Sequence, residues 1–365
     1  MTAPAPHRDR SGWRRYLPAP DGPQVTDGEL AVFLLAALVT TVGLAGDIAR
    51  HLTDPGSITN DFLSSWHLVL YGGVLSVGAW IGVGAIRRGP AYVGSAATAT
   101  IGFLLLSVGG AADAAWHGAF GVEVAVEALV SPPHLLVFTG LALLLTAPIV
   151  ILWKRPARRL GLIGSLSVAT SLVSTLLVTS LFTGFLTPLA GGLSLQKGYV
   201  EPLVGESLSD YDQVRGLGIA LWTVCLLVAG FSVVLVRFRL MPGTVFLSFL
   251  AIGLPAHWIS GAGIDPLVIG FAAAGVAAEA VVALVGRPTL GRLGASAMGA
   301  AVGSTLWAVT FLVLHLDDRL LWNQSLWGGM VTLAALFGAA TAALVALPVP
   351  TGDAVSDGVP GPHPA

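Results

Sequence analysis

The chain has 365 residues, of which 55% are hydrophobic and 10% charged, with a formal net charge of −2. Soluble domains carry about 25% charged residues, so this composition excludes an ordinary soluble domain and points to a polytopic membrane protein; the near-neutral charge leaves no electrostatic case for nucleic acid. A single cysteine, Cys225 in an apolar run, excludes an intrachain disulfide and a cysteine-based metal cluster.

Residues 1–28, rich in Pro, Asp and Arg, read as a disordered tail. The run after it is long enough to span and lacks a small-residue cleavage site, so it should stay as a helix and not be removed as a signal peptide. Ten segments of spanning length can be marked, at about 30–50, 62–85, 92–115, 132–153, 160–186, 214–236, 243–262, 266–286, 294–316 and 325–348. Together they predict an all-α transmembrane domain over 29–348, built of helical hairpins, with a second loose tail over 349–365. The seventh and eighth segments are close enough to form one hairpin with a short turn.

Basic residues sort by side. Arg8, Arg10, Arg14, Arg15, Arg87, Arg88, Lys154, Arg155, Arg158, Arg159, Arg237, Arg239, Arg287 and Arg292 fall on one face, against Arg50, Lys197, Arg215 and Arg319 on the other. The positive-inside rule then places both termini in the cytoplasm, in agreement with an even helix count. Sixteen Arg against two Lys, with abundant Ala and Gly, suit a GC-rich bacterial source and so a multi-pass protein of the bacterial inner membrane.

Within this frame the first two hairpins, 30–85 and 92–153, carry a repeated pattern. Asp47 and His51 end one apolar run and His67 opens the next behind Ser64; Asp113 and His117 end another, and His134 opens the one behind Ser131-Pro132-Pro133. At an offset of 66, Val42, Gly43, Ala45, Asp47, Ala49 and His51 meet Val108, Gly109, Ala111, Asp113, Ala115 and His117. At an offset of 67, Ser64, His67, Leu68, Tyr71 and Gly73 meet Ser131, His134, Leu135, Phe138 and Gly140. Ionisable residues in spanning segments are expensive and usually functional. The predicted topology puts all six of these residues, with His257 and His315, at the external helix ends. His257 has Gly253, and His315 has Phe311, where an Asp would stand, so these two are candidate degenerate copies. The third hairpin lacks the motif but has the longest external loop, about 187–213, which is a candidate cover for the outer site.

An Asp and a His four apart share a helix face, and a His from the next helix completes three nitrogen and oxygen ligands. That set suits copper, zinc, iron or manganese and leaves coordination positions open. Ser131 as cap and Pro132 in the first turn set His134 at a helix N-terminus, where the dipole favours the neutral, metal-binding imidazole; His67 has a comparable setting behind Asn60, Asp61 or Ser64. Glu123 and Glu127, on an external amphipathic stretch, are candidate hydrogen-bond partners of a ligand histidine or an extra carboxylate ligand. The bland alternative is a buried Asp–His hydrogen bond that locks two helices. Glu279, in the inner half of its helix, is open between a proton-relay carboxylate and a protonated core residue.

The D-x3-H pairs with their following histidines, over about residues 40–140, resemble the C subunit of the copper membrane monooxygenases, the particulate methane and ammonia monooxygenases. The resemblance implies one copper site at Asp47, His51 and His67 and another at Asp113, His117 and His134; the nearness of Glu123 and Glu127 and the clearer helix-start setting of His134 make the second the expected catalytic site. The separation of second and third ligand is a few residues longer here than in that family. The leading expectation is a membrane metalloprotein, a copper-dependent oxidase or monooxygenase-like enzyme acting on a hydrophobic small molecule from the bilayer, with zinc and iron as alternative metals. Copper or zinc transport or delivery, and haem ligation by facing histidines, are the competing readings. An oligomer or a partner subunit stays open.

Overall fold

A computed structural model describes residues 24–53, 63–121, 129–155, 160–187, 210–260, 264–285 and 292–346. Among these residues the architecture is all-helical: α1 (Asp27–Thr53), α2 (Ser65–Arg88), a short α3 (Ala91–Ser95), α4 (Ala97–Phe120), α5 (Pro132–Trp153), α6 (Leu162–Phe182), α7 (Asp210–Leu235), α8 (Thr244–Gly253), α9 (Pro255–Ser260), α10 (Pro266–Val285), α11 (Arg292–Leu316) and α12 (Gln324–Val345). Nine of the described helices are long and apolar enough to cross a membrane.

The difference from ten lies at 243–262. That segment is divided into α8 and α9, and its apolar run from Thr244 to Trp258 is shorter than a full span. Pro255 has no N–H to donate to the preceding turn and its ring crowds that turn, so the helix ends at Gly253. The chain still runs antiparallel to α10, since Gly253 faces Phe271 and Gly275 faces Phe246 and Phe249. Glu279 is involved here. Its two carboxylate oxygens accept the backbone N–H groups of Gly243 (3.0 Å), Val245 (3.0 Å) and Phe246 (3.1 Å). Gly243 has no side chain to cap α8, and a carboxylate from the neighbouring helix takes that place. Glu279 is therefore engaged as a cap between helices.

At the other end of the chain, α1 begins two residues inside the stretch expected as tail. Thr26 and Glu29 form a reciprocal capping box: the Thr26 N–H donates to Glu29 Oε2 at 2.7 Å and the Glu29 N–H donates to Thr26 Oγ1 at 3.3 Å. Arg88 and Arg155 clasp this start. Arg88 donates to the Gln24 carbonyl and pairs with Glu29 at 3.4 Å, while Arg155 pairs with Asp27 at 2.7 Å. Arg237 donates in turn to the Arg155 carbonyl. One end of the bundle thus gathers the start of α1 and the ends of α2, α5 and α7.

The two motif-bearing hairpins are α1–α2 and α4–α5, the two most extensive helix pairs in the first half of the chain. Side by side, α2 packs on α4 and α1 on α5, the arrangement expected if a twofold axis along the bundle exchanged the hairpins. Their internal contacts match position for position. Gly43 lies against the Leu70 backbone and Gly73 against Thr40; Gly109 lies against Val137 and Gly140 against Leu106. At none of the four is there room for a Cβ, the small-residue solution to close helix packing where water supplies no driving force. Helix α6 joins these hairpins to the rest, packing on α1, α5, α7 and α8. Within α5, Pro148 removes an N–H from the ladder, and the Ser171 hydroxyl of α6 donates to the nearby Leu145 carbonyl.

Candidate metal centre

The ends of the two hairpins opposite the arginine clasp carry the six motif residues. In the second hairpin they converge. Asp113 Oδ1 lies 3.3 Å from His117 Nε2 and 3.5 Å from His134 Nε2, and one ligand atom from each of the three residues falls within 4.8 Å of the other two. Asp113 and His117 meet because they sit one helical turn apart on α4; His134 arrives in the first turn of α5 because Gly109 and Gly140 let the two helices touch. Asp113 Oδ1 is buried and accepts no hydrogen bond from a protein group, although two imidazole nitrogens sit close to it. A buried carboxylate oxygen left in that state is costly unless a cation or water completes it.

Ser131 does something other than cap. It holds the N-cap position of α5, but its hydroxyl makes no bond to the helix backbone and instead lies 2.8 Å from His134 Nδ1. Pro132 and Pro133 have no N–H to offer, and the hydroxyl turns to the His134 imidazole where Ser64 takes the backbone N–H of the matching His67. With Nδ1 engaged, Nε2 is the nitrogen presented to Asp113, the orienting contact that metal-ligating histidines commonly have.

The first hairpin has the same residues in a different arrangement. His67 Nε2 is 3.3 Å from Asp47 Oδ2, as at the second site. His51, however, turns its Nδ1 to the Asp47 backbone carbonyl at 2.8 Å, with that same nitrogen 3.7 Å from the carboxylate. A carbonyl can only accept, so Nδ1 carries the proton and Nε2 faces away from Asp47. Among the described residues, the second triad but not the first meets the spacing of a three-ligand group. Ser64 behaves as an ordinary cap, accepting the His67 backbone N–H at 3.2 Å.

Tyr71 aligns with Phe138 in the repeat and carries no motif role of its own. It stacks on His67 with ring centroids 5.7 Å apart and planes at 15°. His67 and Tyr71 stand on α2, which packs on α4 of the second hairpin. Phe138, at the matching position, packs on Phe182 of α6 instead. The sequence signal for Tyr71 was the polar–apolar difference at an aligned position.

His257 on α9 and His315 at the end of α11 join no three-ligand group among the described residues, and His315 is exposed. Glu123 and Glu127, with Asn60, Asp61 and most of the 187–213 loop, lie outside the described residues. Comparison of the chain with protein-family models, with curated proteins and with solved structures finds no match.

Proposed function

We propose that this is an integral membrane metalloprotein whose Asp113, His117 and His134 hold a transition metal, copper first and zinc or iron as alternatives, and that it oxidises a hydrophobic small molecule drawn from the bilayer. The carrying observation is the convergence of two Nε2 atoms on one buried, otherwise unsatisfied carboxylate oxygen. Ligand atoms about 2.0–2.2 Å from a common centre lie roughly 3–4 Å apart. The two Asp–His separations fall in that range, and small imidazole rotations close the wider His117–His134 gap. Bound copper or iron would supply redox chemistry toward oxygen at the open coordination positions. The chain's own residues supply the anionic charge of Asp113, the orientation of His134 through Ser131, and a setting between helix ends that a lipid-dissolved substrate reaches laterally.

The two D-x3-H hairpins are, on this reading, copies of one unit with both chain termini in the cytoplasm. The sequence offset and the matching glycine contacts support it, and so does the gathering of Arg88, Arg155 and Arg237 at the end away from the histidines. The inner membrane of a bacterium is the corresponding location. A reporter fused at residue 120 and read as cytoplasmic would reverse the orientation. Haem ligation is disfavoured, because His117 and His134 both direct Nε2 to Asp113 Oδ1. Metal delivery is the second reading, favoured by the exposed His51 beside the Asp47–His67 pair.

The test is metal analysis with EPR on protein purified without chelator. The expected result is one tightly held metal per chain, lost in Asp113→Ala and in His134→Ala variants that still accumulate in the membrane. Full metal content in both variants would remove the site. A metal-replete protein that consumes no oxygen with any lipid, terpene or hydrocarbon would shift the function to delivery.

A further inference from the structure

The two clusters differ in a way that suggests a division of labour. We propose that Asp47, His51 and His67 form an acquisition site that captures a metal ion and passes it to Asp113, His117 and His134; the inference rests on the metal-binding function proposed above. His51 has the most exposed ligand side chain of the six, at 43%, against 24% for both His117 and His134. Its proton is fixed on Nδ1 by the Asp47 carbonyl, so the lone pair sits on Nε2, directed away from the carboxylate. The first cluster thus displays one donor outward while Asp47 and His67 stay paired behind it. Asp47 Oδ1 is buried and accepts no hydrogen bond, an anionic acceptor left over inside the cluster.

This arrangement suits capture. An outward imidazole takes an ion from water or from a carrier, and rotation of His51 brings that ion to Asp47. Two or three loosely assembled ligands exchange readily, whereas the converged and serine-oriented second cluster holds its ion. The path between them runs along α2, which carries His67 and packs on α4, the helix of Asp113 and His117. Transfer is ligand exchange only. Bonds from the ion to His51, Asp47 and His67 break as bonds to Asp113, His117 and His134 form. One set of ligand lone pairs replaces the other, the ion keeps its oxidation state, and no electron or proton is consumed.

The experiment uses full-length protein in lipid nanodiscs, stripped of metal and mixed with Cu2+ delivered as its nitrilotriacetate chelate. Filling of the second cluster is followed by rapid-freeze EPR and its equilibrium affinity by chelator competition. His51→Ala should slow filling at least tenfold while leaving the equilibrium Kd of the second cluster within twofold of the unaltered protein. Asp47→Asn, which keeps the shape of the side chain, serves as a second variant should His51→Ala fold poorly, and should slow filling likewise. Filling at the unaltered rate in both variants overturns the relay and leaves the metal function standing. A matching loss of equilibrium affinity also overturns it, since His51 would then be a ligand of one shared centre. If the unaltered protein takes up no Cu2+ at the second cluster, the metal function fails and the relay fails with it.

Discussion

The hairpins α1–α2 and α4–α5 have the same glycine contacts and the same Asp, His and His, yet one presents a converged ligand set and the other does not. The difference comes from two local choices. In the second hairpin His117 points Nε2 at Asp113 and Ser131 engages His134; in the first, His51 folds back onto its own turn and Ser64 caps the backbone. Backbone similarity therefore does not by itself make a site. The side-chain hydrogen bonds one step out from the ligands decide which nitrogen is available.

The largest effect should separate the two histidines that occupy the same motif position. His117→Ala should abolish tight metal binding, whereas His51→Ala should leave the tightly bound metal at its original stoichiometry, both read by metal analysis after exhaustive dialysis. Equal losses would mean that the hairpins form one shared centre. Next come the packing glycines, where the hairpins should behave alike. Gly43→Leu and Gly109→Leu should each destabilise by about 3 kcal/mol, the upper range for overpacking a close contact. Thermal unfolding in detergent measures both, and a large inequality would break the equivalence of the two hairpins. The smallest effect concerns the serines. Ser131→Ala should weaken metal affinity roughly tenfold, the low end for loss of a ligand-orienting contact. Ser64→Ala should leave metal affinity alone and cost about 1 kcal/mol of stability as a lost cap. Interchange of these two outcomes would show that Ser64 is the ligand-orienting serine.

Much of the second site was legible in the sequence. The four-residue spacing of Asp113 and His117 fixes a common helix face, and His134 stands at the next helix start. The capping box at Thr26 and Glu29 and the break at Pro255 were also written in the chain, as T-x-x-E and as a proline within an apolar run. They were hidden by the stronger hydropathy signal, which marks where apolar residues accumulate but not where a helix starts or breaks. The partner of Glu279 was not legible, because the N–H groups it accepts are 33 to 36 residues away and belong to another helix.

By itself, the sequence determined the membrane character of the chain, the approximate positions of its helices, and the pairing of Asp and His along each motif helix. These follow from composition and from a helical period that depends only on local backbone geometry. Only the tertiary structure decided how far apart His117 and His134 lie, which nitrogen of His51 meets Asp47, and that Tyr71 stacks on His67. Those depend on how closely α4 approaches α5 and on side-chain rotamers, among them the turn of His51 onto its own helix, which residue spacing does not encode.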